Sequence, residues 1–94
     1  MKIINPATEE VITEVKEDTK ESLSRKFELL KTAQPSWAKV PLAQKVLILK
    51  KFAELLKENT ERLAFTLTSE VGKPLQQSRN EINGAMARIK WLTD

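Results

Sequence analysis

Residues 42–56 hold Leu42, Val46, Leu49, Ala53 and Leu56 at steps of four, three, four and three. That period is the signature of one face of an α-helix. Ile48, Phe52 and Leu55 widen the stripe beyond what a surface helix needs. A face so broad must be covered by other elements, so the rest of the chain is read for what could cover it. Leu23, Phe27 and Leu30 fall at i, i+4 and i+7 on an earlier helix that Thr19 can cap and Pro35 ends or kinks. Trp37 then sits in the connector as a plug. Pro41 suits the first turn of the second helix. Asn59 can cap a third helix bearing Leu63, Leu67 and Val71, with Gly72 as the left-handed residue after its end. Pro74 suits the first turn of a fourth helix, whose buried side is Leu75, Ile82, Met86, Ile89 and Leu92. Gly84 inside that helix costs roughly 1 kcal/mol against Ala, which predicts close packing there. Ahead of the helices, Ile3-Ile4 and Val11 to Val15 flank Asn5-Pro6, a turn signal. They read as a two-stranded hairpin that is marginal in water without support.

The expectation is therefore a mainly α segment spanning residues 1–94. It has a hairpin over about 3–16, then helices over about 20–33, 41–58, 60–71 and 74–92. Ninety-four residues of 10.7 kDa should fold from about 15,500 Å² of surface to about 5,500 Å², burying about 64% of it. That allows a thin core containing Phe52, where truncation to Ala should cost about 3–5 kcal/mol.

Composition excludes much chemistry. There is no Cys, His or Tyr. Thiol nucleophiles, His-based triads, zinc fingers and disulfides are excluded. Gly72 and Gly84 are the only glycines, so no glycine-rich loop can cradle a phosphate. Glu54, Glu58 and Glu61 share helical spacing, but a carboxylate bundle site usually adds a Glu-x-x-His motif. Pairing with Lys50, Lys57 and Arg62 in a surface lattice is the plainer expectation. Gly72-Lys73-Pro74 lacks the earlier Gly and the following Ser or Thr of a phosphate loop. A Ser69/Lys73 catalytic pair would need a desolvated neutral Lys, and a turn Lys stays charged.

Net charge is +3, unevenly placed. Residues 1–22 carry three bases and six acids; residues 23–57 carry eight bases and two acids. The basic middle, with Lys50-Lys51 beside Phe52, reads as a solvated helix face and not as a nucleic-acid platform. The longest aliphatic run, Val46 to Leu49, is far too short to cross a bilayer. No signal-peptide run opens the chain, and the lack of Cys suits a reducing cytoplasm. No nucleic acid or membrane partner is expected.

Several pieces occur together in a telling order. They are Asn5-Pro6-Ala7-Thr8 with Glu10-Val11-Ile12, Pro35-Ser36-Trp37 with Pro41, and the Leu49/Phe52-Ala53/Leu56 pattern. Glu70-Val71-Gly72-Lys73-Pro74-Leu75 and Glu81-Ile82 follow. Across the whole chain this resembles the amino-terminal segment of the NAD(P)-dependent aldehyde dehydrogenase superfamily. The run from Glu70 to Leu75, with Gln77 and Glu81, is similar to its succinate-semialdehyde group. Two departures stand out: Glu9 replaces a usual Gly in the hairpin turn, and Gln44-Lys45 replaces a common Glu-Arg.

The resemblance implies roughly the first fifth of an α/β enzyme that oxidises an aldehyde to a carboxylic acid with NAD or NADP. It implies that the catalytic Cys, the general-base Glu, the oxyanion-hole Asn and the nucleotide-binding units lie outside these residues. No catalytic, cofactor-binding or metal residue of the family carries over. Glu70 and Lys73 match as a helix terminus only. The implied partner is the remainder of the parent enzyme, with self-association through the apolar faces in its absence. The alternative expectation is a stand-alone helical protein-interaction module.

Overall fold

The structure, a computed structural model, describes all 94 residues. The order is β1 (Lys2–Ile4), β2 (Val11–Glu14), α1 (Lys20–Ala38), α2 (Leu42–Glu58), α3 (Thr60–Val71) and α4 (Leu75–Thr93). The expected sequence of one hairpin and then four helices is the sequence found.

The hairpin is antiparallel, pairing Lys2 with Glu14, Ile3 with Thr13 and Ile4 with Val11, and it is irregular between Ile3 and Ile4. Asn5 builds the turn. Its side-chain Oδ1 accepts the Ala7 N–H at 2.9 Å and its carbonyl accepts the Glu9 N–H at 2.8 Å. An Asn side chain that mimics a backbone acceptor is the physical content of the turn signal. Glu9 follows with φ 62°, in the left-handed region. That explains why Gly is the easier residue there. The turn rests on the α3–α4 junction. Gly72 has φ 81°, and a Cβ on it would lie 2.7 Å from Pro6 Cγ. Gly72 is thus required twice, by the helix end and by the proline seated against it.

Helices α2, α4 and α3 lie side by side with α4 in the middle, and α1 stands off from them. The molecule measures 47 × 39 × 16 Å. A thickness of 16 Å holds one layer of helices, each about 10–12 Å across with side chains. A single layer has no interior, and this overturns the expected thin core. Only Ala64 and Ser78 are fully buried. The surface is 7,864 Å² against about 5,500 Å² for a compact protein of this mass. The radius of gyration is 17.3 Å against about 12 Å. Phe52 is 50% exposed, so the cost expected of a core ring does not apply to it here.

Local signals fared unevenly. Thr19 caps α1 as expected: its Oγ1 accepts the Ser22 N–H at 3.1 Å, and Ser22 Oγ accepts the Thr19 N–H at 2.9 Å. Pro35, expected to end or kink α1 near residue 33, lies inside it, and the helix continues to Ala38. Proline removes one donor, and the carbonyl it frees at Lys31 belongs to a fully solvated turn. Trp37 is consequently in the last helical turn and not in a connector. Pro41 and Pro74 each precede their helices as the extended residue, with ψ 141° and 140°. Asn59 stands at the α2–α3 corner without capping α3. Its Nδ2 donates to the Leu55 carbonyl at 2.8 Å instead.

The covered side of α4 is Leu75, Ser78, Ile82, Met86, Ile89 and Thr93, all buried or half-buried. Leu92 is exposed, and Thr93 takes the place expected for it. Gly84 has nothing within 4 Å of where its Cβ would be. The close packing predicted there is absent within these 94 residues.

Candidate functional site

Of the residues whose spacing suggested chemistry, most make ion pairs or hydrogen bonds with neighbouring residues, whereas Lys57 and Glu58, expected in the charge lattice, form no ion pair. Lys51 Nζ meets Glu54 Oε2 at 3.1 Å, which holds the lysine above its usual pKa, aided by the charges of Glu54 and Glu58. Glu61 does not pair with Arg62. It takes both prongs of Arg79 across the α3–α4 seam, at 2.8 and 2.9 Å. This fork lowers the Glu61 carboxyl below its usual range and raises the Arg79 guanidinium. Arg62 turns to Asn59 Oδ1, and Lys50 to Asp94 at 3.5 Å. The three glutamates do not converge on a point that could hold a metal ion. Ser69 Oγ donates to its own helix at the Phe65 carbonyl, 2.8 Å away. Lys73 pairs with Glu81, so the imagined Ser69–Lys73 couple does not form.

Two contacts escaped the sequence reading. Thr68 Oγ1 and Ser78 Oγ lie 2.7 Å apart in the α3–α4 seam, with Ser78 fully buried. The Glu61–Arg79 fork spans the same seam. One signal was present: Ser78 sits three after Leu75 and four before Ile82, a small polar residue on an otherwise apolar stripe.

The start of α1 forms a polar hollow. Asp18 accepts from Ser22 Oγ and Lys26 Nζ, both at 2.7 Å. Lys26, then Ser22, lower the Asp18 pKa. Ser22 and Lys26 are engaged by Asp18, and the carboxylates of Glu17, Asp18 and Glu21 along the same hollow oppose an incoming anion.

What remains is apolar surface. On α1 the stripe Leu23, Phe27 and Leu30 is bare, and no residue of that helix is buried. On α2 the inner residues Val46, Ala53 and Leu56 are half-buried, whereas the flank Ile48, Phe52 and Leu55 is exposed. On α4, Gly84, Ala87 and Trp91 share the outer face, with Trp91 82% exposed. Apolar exposure on this scale marks a docking surface.

A sequence model of the aldehyde dehydrogenase family matches residues 1–94. The chain belongs to the aldehyde dehydrogenase family. It is similar to the 3,6-anhydro-alpha-L-galactose dehydrogenase of Vibrio sp. strain EJY3, with 36% identity over 98% of this chain and 19% of that protein. The glutarate-semialdehyde dehydrogenase of Pseudomonas putida is 34% identical over all of this chain and 20% of its own length. The NADP-dependent glyceraldehyde-3-phosphate dehydrogenase of Arabidopsis thaliana is 40% identical over 85% of the chain. Among solved aldehyde dehydrogenase structures, the glyceraldehyde-3-phosphate dehydrogenase of Methanocaldococcus jannaschii, complexed with NADP, superimposes with a TM-score of 0.95. That match has 27% identity and covers 99% of this chain and 20% of that one. The chain thus spans about a fifth of the length of these relatives.

Proposed function

We propose that these residues serve as the amino-terminal docking segment of an NAD(P)-dependent aldehyde dehydrogenase, with the reacting groups supplied by the rest of the polypeptide. One observation carries the reading. The helices keep an open, one-layer arrangement that buries almost nothing, and that arrangement matches a fifth of an intact NADP-complexed relative. A layer shaped this way is explained by a body that covers it.

The residues present do not fit a dinucleotide. Gly72 is filled by Pro6 and Gly84 lies in mid-helix. The N-terminus of α1 is closed by its own capping box beside Asp18. In this reading NAD or NADP is bound elsewhere in the enzyme, and the hairpin and helices flank the domain that binds it. No catalytic, cofactor or metal residue is assigned to this chain.

The intact enzyme would oxidise an aldehyde to a carboxylic acid. Identities of 31–40% are shared with relatives named for quite different aldehydes. These identities support the family and single out no one aldehyde. No helix is long and apolar enough to cross a membrane, and a Cys-free chain suits a reducing cytoplasm.

The test is direct. Pure 94-residue chain, given aldehydes with NAD+ or NADP+, should produce no reduced nicotinamide. Turnover would overturn the reading. The coding frame beyond the Asp94 codon should continue into a Cys-bearing, glycine-rich sequence. A stop codon there would favour the stand-alone module.

A further inference from the structure

We propose that the Asn83–Gly84 peptide, at the midpoint of α4, is a site of self-modification, where the Gly84 backbone nitrogen closes on the Asn83 side chain whenever the helix opens. The chain has four asparagines, and Asn83 alone is followed by glycine. Asn5 precedes Pro6, which has no N–H to give up. Asn59 precedes the β-branched Thr60, and Asn80 precedes Glu81. Gly84 carries no Cβ to obstruct ring closure, and nothing outside its own stretch of helix lies within 4 Å of where one would stand. Asn83 is exposed, so water reaches it.

The chemistry needs only water and base. The deprotonated Gly84 nitrogen adds to Asn83 Cγ, the bond from Cγ to the side-chain nitrogen breaks, and ammonia leaves. A cyclic succinimide remains. Water then adds to one of its two carbonyls and cleaves that C–N bond. One direction gives an aspartate in the ordinary backbone. The other gives an isoaspartate, whose backbone runs through the former side chain. Nothing is oxidised or reduced.

The closed helix withholds this reaction. In a regular α-helix the Gly84 N–H is committed to the carbonyl of Asn80, four residues back. The helical ψ of about −42° is also not the one a closed succinimide ring requires. Yet little holds α4 shut within these residues. Glycine weakens a helix interior relative to alanine, and Ser78 is the only fully buried residue of α4. The isoaspartyl product adds a methylene to the backbone and breaks the hydrogen-bond ladder in the helix that both α2 and α3 lean on. An opening of α4 thus leaves a permanent break at its own centre.

The proposal stands apart from the aldehyde dehydrogenase reading, because it concerns only the chemistry of this helix. The 94-residue chain is incubated at mildly alkaline pH, in buffer and in enough urea to unfold it. Digestion and mass spectrometry then locate the aspartyl and isoaspartyl peptides. Asn83 should convert ahead of Asn5, Asn59 and Asn80 in both conditions. Buffer should slow it, relative to urea, by the same factor that protects the Gly84 amide from hydrogen exchange, to within about tenfold, since both events need the same N–H released. Gly84→Ala keeps the helix and adds the missing Cβ, so Asn83 in that variant should lag far behind in urea as well as in buffer. Another asparagine converting first, or Gly84→Ala reacting as fast as the unaltered chain, would overturn the site. Equal rates in buffer and urea despite a protected Gly84 amide would overturn the role of the helix. So would an intact Asn83 in buffer where exchange shows α4 opening.

Discussion

The α3–α4 seam and the α1 arm are built from similar amphipathic sequence, yet only the seam is closed. Along the seam Ala64 and Ser78 are fully buried, Thr68 bonds Ser78, and the Glu61–Arg79 fork joins one helix to the other. The α1 arm has the better local start, with a reciprocal capping box and the Asp18–Lys26 pair. Nevertheless it buries none of its nineteen residues. Good capping makes a segment helical, and only a facing surface makes it buried. Tertiary contact within these 94 residues runs along α4, against α2 on one side and α3 on the other, and α1 is held by its own turns.

The sharpest way to break the comparison is overpacking. Ala64→Leu should cost about 1–3 kcal/mol, because the seam has no room for the added volume. Urea denaturation of the chain reads this, and an equal loss from a Leu placed at exposed Ala33 would erase the distinction. Next comes the hairpin's seat on the seam. Gly72→Ala should cost about 1–2 kcal/mol from the left-handed backbone alone. It should also displace Pro6, seen as shifted amide resonances over residues 4–10.

A smaller effect of opposite sign is expected in the turn. Glu9→Gly relieves the left-handed φ at the cost of extra unfolded-state entropy, for a net gain of about 0.5–1 kcal/mol. Thermal melting checks it, and a loss would mean that the Glu9 side chain holds the turn.

The slightest effect is with pH. Glu61 and Asp18 both titrate below their usual ranges in the folded chain. Their contribution is whole above the ordinary carboxylate range and is lost as pH falls through the lowered values. Both groups are solvated, so the change is small. Hydrogen exchange at decreasing pH should show the seam loosening through Glu61 and the start of α1 fraying through Asp18. Glu61→Gln should remove the first response and leave the second.

Much was legible without coordinates, for reasons that differ by residue. Thr19 and Gly72 act through backbone groups within a few positions of themselves, so their roles could be read directly. The stripes on α2, α3 and α4 announced which faces are apolar, and Asn5-Pro6 announced the turn. Pro35 misled because a helix boundary depends on whether the freed carbonyl meets water, and α1 is solvated throughout. Phe52 and Gly84 misled for the opposite reason. Their residue types imply a neighbour, and no neighbour lies within these 94 residues. Thr68–Ser78 and Glu61–Arg79 were hidden because residues ten and eighteen apart meet only once two helices have been placed.

By itself the sequence determined the helices, the hairpin turn, the family and the kinds of chemistry these residues cannot supply. Those follow from side-chain type and short-range spacing. The tertiary structure alone decided that the helices form one open layer, with α4 between α2 and α3 and the apolar stripe of α1 left bare. An apolar stripe specifies that it will be covered, and the covering surface is a property of three-dimensional placement.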